Sequence, residues 1–296
     1  MTDASVIRVN SMTVRYGGNV AVDSVSLDVP QGTVYALLGR NGAGKSSLVR
    51  CMVGQQKPQT GQVSLFGEDA WNRRAHIMER VGIVPEEADA PPEMTVGQIA
   101  DFCGEVYSRW NREAVNARLE RFSIKPKAKF GTLSKGQKKQ VMLAMALAAS
   151  PELLVLDDPT LGLDVVARKS LFDEVISELA DRGTTIFITT HDLAGVEALA
   201  DRAGILKDGR LVLDEEMETL KSRFRRIRFA NAPVALASGN LLAASVTQWG
   251  SGTEAVISNY DDVAFERFRS TTNVADVAPM SLEEIFIAVA GEEVHS

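Results

Sequence analysis

Residues Gly39–Ser47 read GRNGAGKSS and fit the phosphate-loop pattern G-x-x-x-x-G-K-[ST], with Gly44, Lys45 and Ser46 at its end. The glycines let the backbone curl around phosphate oxygens with no Cβ in the way. Lys45 is placed to reach the outer phosphates, and the Ser46 hydroxyl to take one position on Mg²⁺. The residues predicted to bind the nucleotide here are Gly39, Arg40, Asn41, Gly42, Ala43, Gly44, Lys45, Ser46 and Ser47.

The flanks of this loop support the same interpretation. Val34–Leu38 is a short apolar run of strand type, and residues 47–54 read as a helix that ends at a glycine. A strand that feeds a glycine loop into a helix directs several N–H groups and the positive helix end at one point. The alternative is an ordinary glycine turn, and the correct flanks favour a nucleoside triphosphate site.

Composition limits the remaining classes of protein. The chain has 296 residues, 45% of them apolar and 24% charged, which is typical of a globular protein with one large core or two smaller ones. Its net charge of −7 argues against nucleic acid as the main partner. The two cysteines, Cys51 and Cys103, predict no disulfide framework and a reducing compartment.

The sequence predicts neither a signal peptide nor a transmembrane segment. The start, MTDASVIRV, lacks a basic segment followed by a long apolar one. The longest strongly apolar stretch, residues 141–149, is about half the length that a bilayer needs. Any role at a membrane is therefore expected to depend on a partner.

Ahead of the phosphate loop, the alternating segments 6–14 and 24–29 predict half-buried strands. Between them lies Tyr16, in the sequence RYGG. A tyrosine just ahead of a nucleotide site can stack on a base. On spacing alone, the favoured interpretation is an aromatic ring that rests on the core at the end of a strand.

Behind the phosphate loop, residues 61–67 and 81–85 predict two more short strands, and Glu86 follows the second of them. Residues 88–130 then become turn-rich and helical by apolar spacing, which predicts a helical insertion into the α/β core. Three aromatic residues are expected to form the small core of this insertion: Phe102, Tyr107 and Trp110.

The sequence LSKGQ, residues 133–137, opens a segment through Ala149 whose centre is apolar nearly all round, and this predicts a buried helix. Ser134 is a candidate N-cap, and Gly136 lies in the first turn. This helix therefore also begins with an N-terminus that is able to face an anion.

Two adjacent carboxylates, Asp157 and Asp158, follow an apolar run of buried parallel-strand type. In a phosphate-loop protein, a carboxylate at the carboxyl end of a neighbouring strand holds Mg²⁺, which predicts this role for Asp157. The second carboxylate can orient or deprotonate the attacking water. The alternative is that both acids cap the next helix.

His191 follows another predicted buried strand, in the sequence IFITTHD. A single histidine at a strand end is often incidental. At the carboxyl edge of the same parallel sheet, however, it is a candidate contact to the terminal phosphate.

The last third of the chain predicts smaller elements. Residues 204–213 indicate a hairpin with an Asp-Gly turn. The basic run KSRFRRIR, residues 221–228, could contact anionic lipid headgroups. The favoured interpretation is that it forms the solvated face of a linker. Strands at RIRFA, LLAASVTQW and EAVISNY and helices at DDVAFERFRS and SLEEIFIAVAG then predict a small separate unit.

Together these motifs resemble the ATP-binding subunit of ABC transporters, over about residues 5–220. GRNGAGKS resembles the Walker A motif of the family, LSKGQ its signature motif and LLVLDDP its Walker B motif. LGLD, from Leu161 to Asp164, stands at the D-loop, His191 at the switch histidine and Tyr16 at the adenine-stacking aromatic. The resemblance implies ATP and Mg²⁺ as cofactors, and it favours base stacking for Tyr16.

The resemblance also implies a head-to-tail dimer with an identical or a related subunit. Each ATP then lies between the Walker A loop of one subunit and the signature helix of the other, where it is bound by Ser134, Gly136 and Gln137. The implied partner of the dimer is an integral membrane permease, which places the chain peripherally on the cytoplasmic face of the cell membrane.

Four positions depart from the family pattern. Asp158 replaces the usual glutamate that positions water and is one methylene shorter, which puts the rate of hydrolysis in doubt. Glu86 replaces the glutamine that senses the permease, and it is an oxygen ligand suited to Mg²⁺. Lys135 replaces a glycine of the signature and Leu161 a serine of the D-loop. Glu86, LSKGQ and the SLEEIF tail resemble the subfamily that pairs with drug- or lipid-type exporter permeases, called ABC-2.

The sequence thus predicts an α/β fold with a phosphate-loop NTPase core and a mainly parallel sheet. An N-terminal antiparallel β subdomain and a helical insertion at about 88–150 belong to an ATP-binding domain, 1–222, and a small α+β domain follows at 223–296. The predicted catalytic residues are Lys45, Glu86, Asp158 and His191, and the predicted metal ligands are Ser46, Glu86 and Asp157.

The expected function is an ATPase that powers a separate permease, in the exporting direction. One alternative is a regulatory dimer that hydrolyses ATP weakly or not at all, which Asp158 suggests. The other is a soluble ABC ATPase that acts on ribosomes or DNA. Such proteins usually carry two cassettes or a long coiled-coil insert, and this sequence has neither.

Overall fold

The computed structural model describes residues 5–230, 241–269 and 274–291. The strands of these residues form an antiparallel sheet near the N-terminus, a six-stranded central sheet and a second antiparallel sheet in the C-terminal part. The predicted α/β fold with a mainly parallel core and an N-terminal antiparallel subdomain is confirmed.

Residues 5–84 alternate between the first two sheets. Their elements are β1 (Ser5–Tyr16), β2 (Asn19–Pro30), β3 (Val34–Leu38), α1 (Lys45–Met52), β4 (Thr60–Leu65), β5 (Glu68–Asp69), α2 (Arg74–Met78) and β6 (Val81–Val84). The strands β1 and β2 are longer than predicted, because their pairing continues up to the Gly17–Gly18 turn. The short elements β5 and α2 were not predicted.

The helical insertion consists of α3 (Val96–Val106), α4 (Arg112–Arg121) and α5 (Lys135–Ala148). The prediction of an aromatic core was wrong for Phe102, whose side chain is 64% exposed. The buried face of α3 is instead formed by Val96, Ile99 and Ala100, at the spacing i, i+3, i+4 of one helix face. Phe102 lies on the opposite side of the helix, and Trp110 packs only at the edge of this core.

Residues 153–216 complete the central sheet. Their elements are β7 (Leu153–Asp157), α6 (Val165–Arg182), β8 (Thr185–Thr190), α7 (Leu193–Glu197), β9 (Arg202–Lys207) and β10 (Arg210–Glu216). The strand order is β10-β9-β3-β8-β7-β6, and only the β9–β10 pair is antiparallel, as the Asp-Gly hairpin predicted. Every residue of β3, β7 and β8 is buried, which explains their continuous apolar runs.

This strand order decides where the site lies. The phosphate loop follows β3, Asp158 follows β7, and His191 follows β8, which lies between the other two strands. Because the three strands are parallel, their carboxyl ends meet at one edge of the sheet.

The C-terminal part contains α8 (Met217–Arg223), β11 (Arg225–Phe229), β12 (Ala243–Trp249), β13 (Gly252–Ile257), α9 (Asp262–Arg269), β14 (Val274–Pro279) and α10 (Leu282–Ala290). Its sheet has the order β12-β13-β11-β14. Strand β14 was not predicted, and the last residue of the predicted helix DDVAFERFRS, Ser270, lies outside the described residues.

The basic run at residues 221–228 is not a solvated linker, and this expectation was wrong. The run forms the end of α8 and most of β11, an interior strand of its sheet. Arg228 forms an ion pair with Glu254 at 2.8 Å, and Arg226 pairs with Glu284. Lys221 pairs with Glu197 and Arg223 with Glu215, so the acids that pair with the run lie both in the C-terminal part and in the elements that precede it.

The C-terminal sheet has a small core of its own, which includes Ile227, Ile257 and Phe265. Helix α10 packs elsewhere. Its residues Leu282 and Ile285 are fully buried and belong to the core that also underlies the central sheet. The last helix thus returns to the part of the chain that contains the central sheet. Within the described residues, no helix is both long enough and apolar enough to cross a bilayer.

Candidate functional site

The phosphate loop connects β3 to α1, and its glycines are required by the backbone. Gly44 has φ 108°, and a Cβ at this position would lie 2.2 Å from the carbonyl oxygen of Ala21. Gly42 also has a positive φ, 84°. An L side chain rarely adopts either conformation, so the loop can form only with glycine at these positions.

Lys45, the first residue of α1, folds back over the loop. Its Nζ donates hydrogen bonds to the carbonyl oxygens of Gly39 at 2.7 Å and Arg40 at 3.3 Å. Burial lowers the pKa of Lys45, while the charges of Asp158, Asp157 and Glu86 act in the opposite direction. The lysine is thus a buried cation that faces three acidic side chains.

A cleft opens over this loop and contains most of the predicted site. It is lined by Ala21, Asn41, Gly42, Gly44, Lys45, Ser46, Ser47, Glu86, Asp157 and Asp158. The residues come from β2, the phosphate loop, the segment after β6 and the end of β7. The structure therefore brings together side chains that are more than 110 positions apart in the sequence, and only Ala21 was not predicted to belong to the site.

The two aspartates at the end of β7 are held by β8. The Thr189 hydroxyl donates to Oδ1 of Asp157 at 2.5 Å. The N–H of Asp158 donates to the carbonyl oxygen of Thr189 at 2.9 Å. The sequence analysis gave Thr189 no role, although a hydroxyl at a strand end beside a predicted acid could have indicated one. Neither aspartate was found to cap α6, whose N-cap is Asp164.

His191 contacts Asp158 directly. Its Nδ1 lies 2.8 Å from Oδ2 of Asp158, and the histidine side chain is 46% exposed. The other oxygen, Oδ1, is buried without a hydrogen-bond partner in the described part of the chain. A buried carboxylate oxygen usually has a donor, and an unpaired one is typical of a site at which a substrate or an ordered water completes the pairing.

The cleft also has the ligands that suit Mg²⁺. This ion prefers oxygen ligands and is usually bound through one or two carboxylates, with substrate phosphates and waters in the remaining positions. The Ser46 hydroxyl and the carboxylates of Asp157 and Glu86 line the cleft. The described residues contain no cluster of three or more His, Cys, Asp or Glu side chains that could hold a metal by themselves. The hydroxyl and the two carboxylates that line the cleft fit a metal that arrives with phosphates.

Tyr16 lies at the end of β1, beside the mouth of the cleft. Its hydroxyl donates to Oε1 of Gln56 at 2.6 Å and lies 3.3 Å from Oγ of Ser47, in the phosphate loop. The side chain is 44% exposed, so it does not rest on the core as one of the two interpretations held. A fixed, exposed ring at this place is available for stacking.

The residues of LSKGQ lie outside the cleft of their own chain. Ser134 caps α5 as predicted: its Oγ accepts from the N–H of Gln137, and the Gln137 side chain accepts from the N–H of Ser134. This capping box satisfies two of the N–H groups at the helix end. The fold therefore does not bring three of the predicted nucleotide contacts close to Lys45, namely Ser134, Gly136 and Gln137.

The family model described as ABC transporter matches residues 22–161. Nod factor export ATP-binding protein I of Burkholderia orbicola is 39% identical over 206 residues, which are 68% of this chain and 67% of that protein. The ABC transporter ATP-binding protein YtrB of Bacillus subtilis is 28% identical over 288 residues, 97% of this chain and 98% of that protein. This second likeness extends through the C-terminal part.

Among solved structures, one described as the structure of the ATP-binding subunit of an ABC transporter superposes with a TM-score of 0.67. It is 26% identical in sequence, and the match covers 73% of this chain and 92% of that chain.

Proposed function

The chain belongs to the ABC transporter family of ATP-binding proteins, which are ATPases, and from this premise we propose that it is the subunit that powers a separate membrane permease. In this proposal the chain dimerises around ATP, hydrolyses it and thereby drives an exporter. The observation that carries the proposal is the meeting of Lys45, Asp157, Asp158 and His191 at one edge of the central sheet.

The first step is binding of the triphosphate. The N–H groups of the phosphate loop and the ammonium of Lys45 hold the phosphates, in exchange for the contacts that Lys45 makes with Gly39 and Arg40. Tyr16 stacks on the adenine. Mg²⁺, held by Ser46 and Asp157 with Glu86 beside them, supplies neutralisation of phosphate charge when it is bound.

The second step is orientation of the attacking water by Asp158 and His191. Asp158 accepts a proton from the water, and His191 holds one carboxylate oxygen of Asp158 through Nδ1. The exposed imidazole is then placed to contact the terminal phosphate through its other nitrogen. The aspartate side chain is one carbon–carbon bond shorter than a glutamate, so the backbone of Asp158 has to bring the carboxylate closer to the attacking water.

The position of LSKGQ supports the proposed dimer. Ser134, Gly136 and Gln137 form an exposed or half-exposed helix start that contacts no part of the cleft of its own chain. In a head-to-tail dimer this helix end closes the cleft of the other subunit, where its N–H groups face the terminal phosphate. ATP binding then closes the dimer and hydrolysis reopens it.

The permease is proposed to bind near Glu86. This residue is exposed and also lines a second depression, between the phosphate-loop helix and the strand β6, together with Ile83, Pro85 and Glu87. A side chain that borders both depressions can transmit contact with a permease to the nucleotide. The subunit itself is then peripheral, on the cytoplasmic face of the cell membrane.

A weakly hydrolysing regulatory dimer is the second candidate, because Asp158 replaces the longer acid of the family. ATP turnover by the purified chain, alone and with the membrane protein that co-purifies with it, separates the candidates. Turnover that the membrane protein stimulates supports the transporter subunit. Absence of turnover in both samples supports the regulatory dimer. Turnover by the chain alone that the membrane protein does not change supports an ATPase that acts away from the membrane.

A further inference from the structure

Lys139 is a buried lysine for which neither the motifs nor the cleft provide a role. It lies in α5, two positions after the end of LSKGQ, and its exposure is 3%. Its Nζ donates to the main-chain carbonyl oxygen of Asp158 at 2.5 Å. Burial of an ammonium group costs free energy unless its surroundings compensate for the charge. The burial of Lys139 beside the Asp158 carbonyl therefore needs a physical explanation.

The partner of Lys139 has an unusual backbone. Asp158 has φ 44°, in the left-handed region that residues other than glycine rarely adopt. Such a conformation costs on the order of 1–3 kcal/mol and persists only where the surroundings impose it. Here the peptide groups of Asp158 are held on both sides. Thr189 accepts from its N–H, and its carbonyl accepts from Lys139 and, at the longer distance of 3.3 Å, from the N–H of Leu161.

The backbone conformation determines where the Asp158 side chain points. The Cα–Cβ direction of a residue follows from its φ and ψ, and the carbonyl that Lys139 holds turns with ψ. The carboxylate that results has one oxygen on His191 and one buried oxygen, Oδ1, with no partner among the described residues.

The surrounding charges favour an ammonium at this position. Burial lowers the pKa of Lys139, whereas the carboxylates of Asp158, Glu86 and Asp157 act to raise it. The same three acids act on Lys45. Two lysines from two helices thus face one acidic cluster, and only one of them is needed for the phosphates.

We propose that Lys139 is a positioning residue for ATP hydrolysis, which holds Asp158 in its left-handed conformation and so aims the shorter carboxylate at the attacking water. This inference rests on the proposed role of Asp158 as the residue that orients water. The left-handed backbone conformation of Asp158 offsets the missing methylene of its side chain, because a change in the backbone moves the whole carboxylate.

The test compares three variants with the wild-type chain: Lys139→Met, which keeps the shape but has no donor, Lys139→Gln, which keeps a donor with a shorter reach, and Lys138→Met as a control. Lys138 is the neighbouring lysine on α5, and its Nζ lies over the ring of Phe130 instead. The measurements are single-turnover hydrolysis at saturating ATP, equilibrium affinity for ATP and the Tm of each variant.

Lys139→Met is expected to lose on the order of 10- to 100-fold of the hydrolysis rate, the size of effect that a misplacement of about 1 Å produces. Its ATP affinity is expected to stay within about twofold, because a positioning residue acts on the reacting geometry and not on binding. Lys139→Gln is expected to fall between Lys139→Met and the wild type, and Lys138→Met to match the wild type.

A wild-type rate in Lys139→Met overturns the proposal, and so does a loss of rate that is accompanied by an equal loss of ATP affinity. If Lys139→Met does not fold, Lys139→Gln decides: a reduced rate at unchanged affinity supports the proposal, and a wild-type rate overturns it.

The variant Asp158→Asn separates this inference from the proposed function. If Asp158→Asn hydrolyses ATP as fast as the wild type, the proposed role of Asp158 fails, and the inference fails with it. If Asp158→Asn is inactive but Lys139→Met is normal, only the inference fails. If both single variants are slow, the double variant with Asp158→Asn and Lys139→Met should hydrolyse ATP no more slowly than Asp158→Asn alone. This is expected because the two residues act as one unit.

Discussion

Nδ1 of His191 lies 2.8 Å from Oδ2 of Asp158, although 33 positions separate the two residues in the chain. Each residue follows directly on a strand of the central sheet, and these strands, β7 and β8, are parallel neighbours. When the carboxylate is ionised, the Nδ1 position carries the hydrogen of this contact, so the other nitrogen of the imidazole is left for the substrate. The relationship links the two residues that the proposed mechanism needs next to the terminal phosphate.

Removal of the Lys45 charge tests the nucleotide site. Lys45→Ala is expected to lower ATP affinity by at least about tenfold, because a charge-assisted hydrogen bond contributes about 1.5–3 kcal/mol. Equilibrium binding of ATP measures the effect. Lys125→Ala, at an exposed position of the helical insertion, is the control for loss of one positive charge. Unchanged affinity in Lys45→Ala would mean that Gly39–Ser47 is an ordinary turn.

The roles of Asp158 are tested by two substitutions. Asp158→Asn keeps the shape but removes the base, so it is expected to bind ATP, lose turnover and accumulate a closed dimer, as seen by size-exclusion chromatography with ATP. Asp158→Glu is expected to be slower than the wild type, because the side chain is only 5% exposed and its contact with His191 suits the shorter acid. A faster Glu variant would show that the reach of Asp158 alone limits the rate.

Stacking by Tyr16 predicts a difference between two substitutions at this position. Tyr16→Ala is expected to weaken ATP affinity by about 1–3 kcal/mol, the contribution of an aromatic ring stacked on a base. Tyr16→Phe keeps the ring but loses the hydrogen bond to Gln56, and is expected to bind ATP nearly as well as the wild type. Equal weakening in both variants would assign the affinity to the hydroxyl and not to the ring.

The packing of α10 predicts that the C-terminal helix stabilises the ATP-binding part. Ile285 is fully buried in the core of the central sheet, whereas Ile287, two positions later, is 60% exposed. Ile285→Ala is expected to lower the free energy of unfolding by about 2–5 kcal/mol. Ile287→Ala is expected to change it by less than about 0.5 kcal/mol. Denaturant unfolding measures both, and equal stabilities would show that α10 does not stay docked in solution.

Several parts of the site could be predicted from the sequence because they are local. The conformation of the phosphate loop depends on glycines within nine consecutive residues, and Ser134 caps α5 through a residue three positions away. The apolar runs LLVL, directly before Asp157, and IFI, shortly before His191, predict buried parallel strands that end at one edge of the sheet. Periodicity over short windows was sufficient for these features.

Other features depend on contacts between distant segments, which no short window contains. Phe102 faces outwards because other residues of α3 fill the core of the insertion. Arg226 and Arg228 of the basic run pair with acids that follow them by 58 and 26 positions. In the same way, Lys139 is set against Asp158 by the packing of α5 on the central sheet, and the left-handed backbone of Asp158 is stabilised by Thr189 from β8. The sequence by itself determined which groups are the candidates for the chemistry, since these are local motifs. Only the tertiary structure decided which groups hold them in place, because hydrogen bonds and packing between strands and helices depend on how the whole chain is folded.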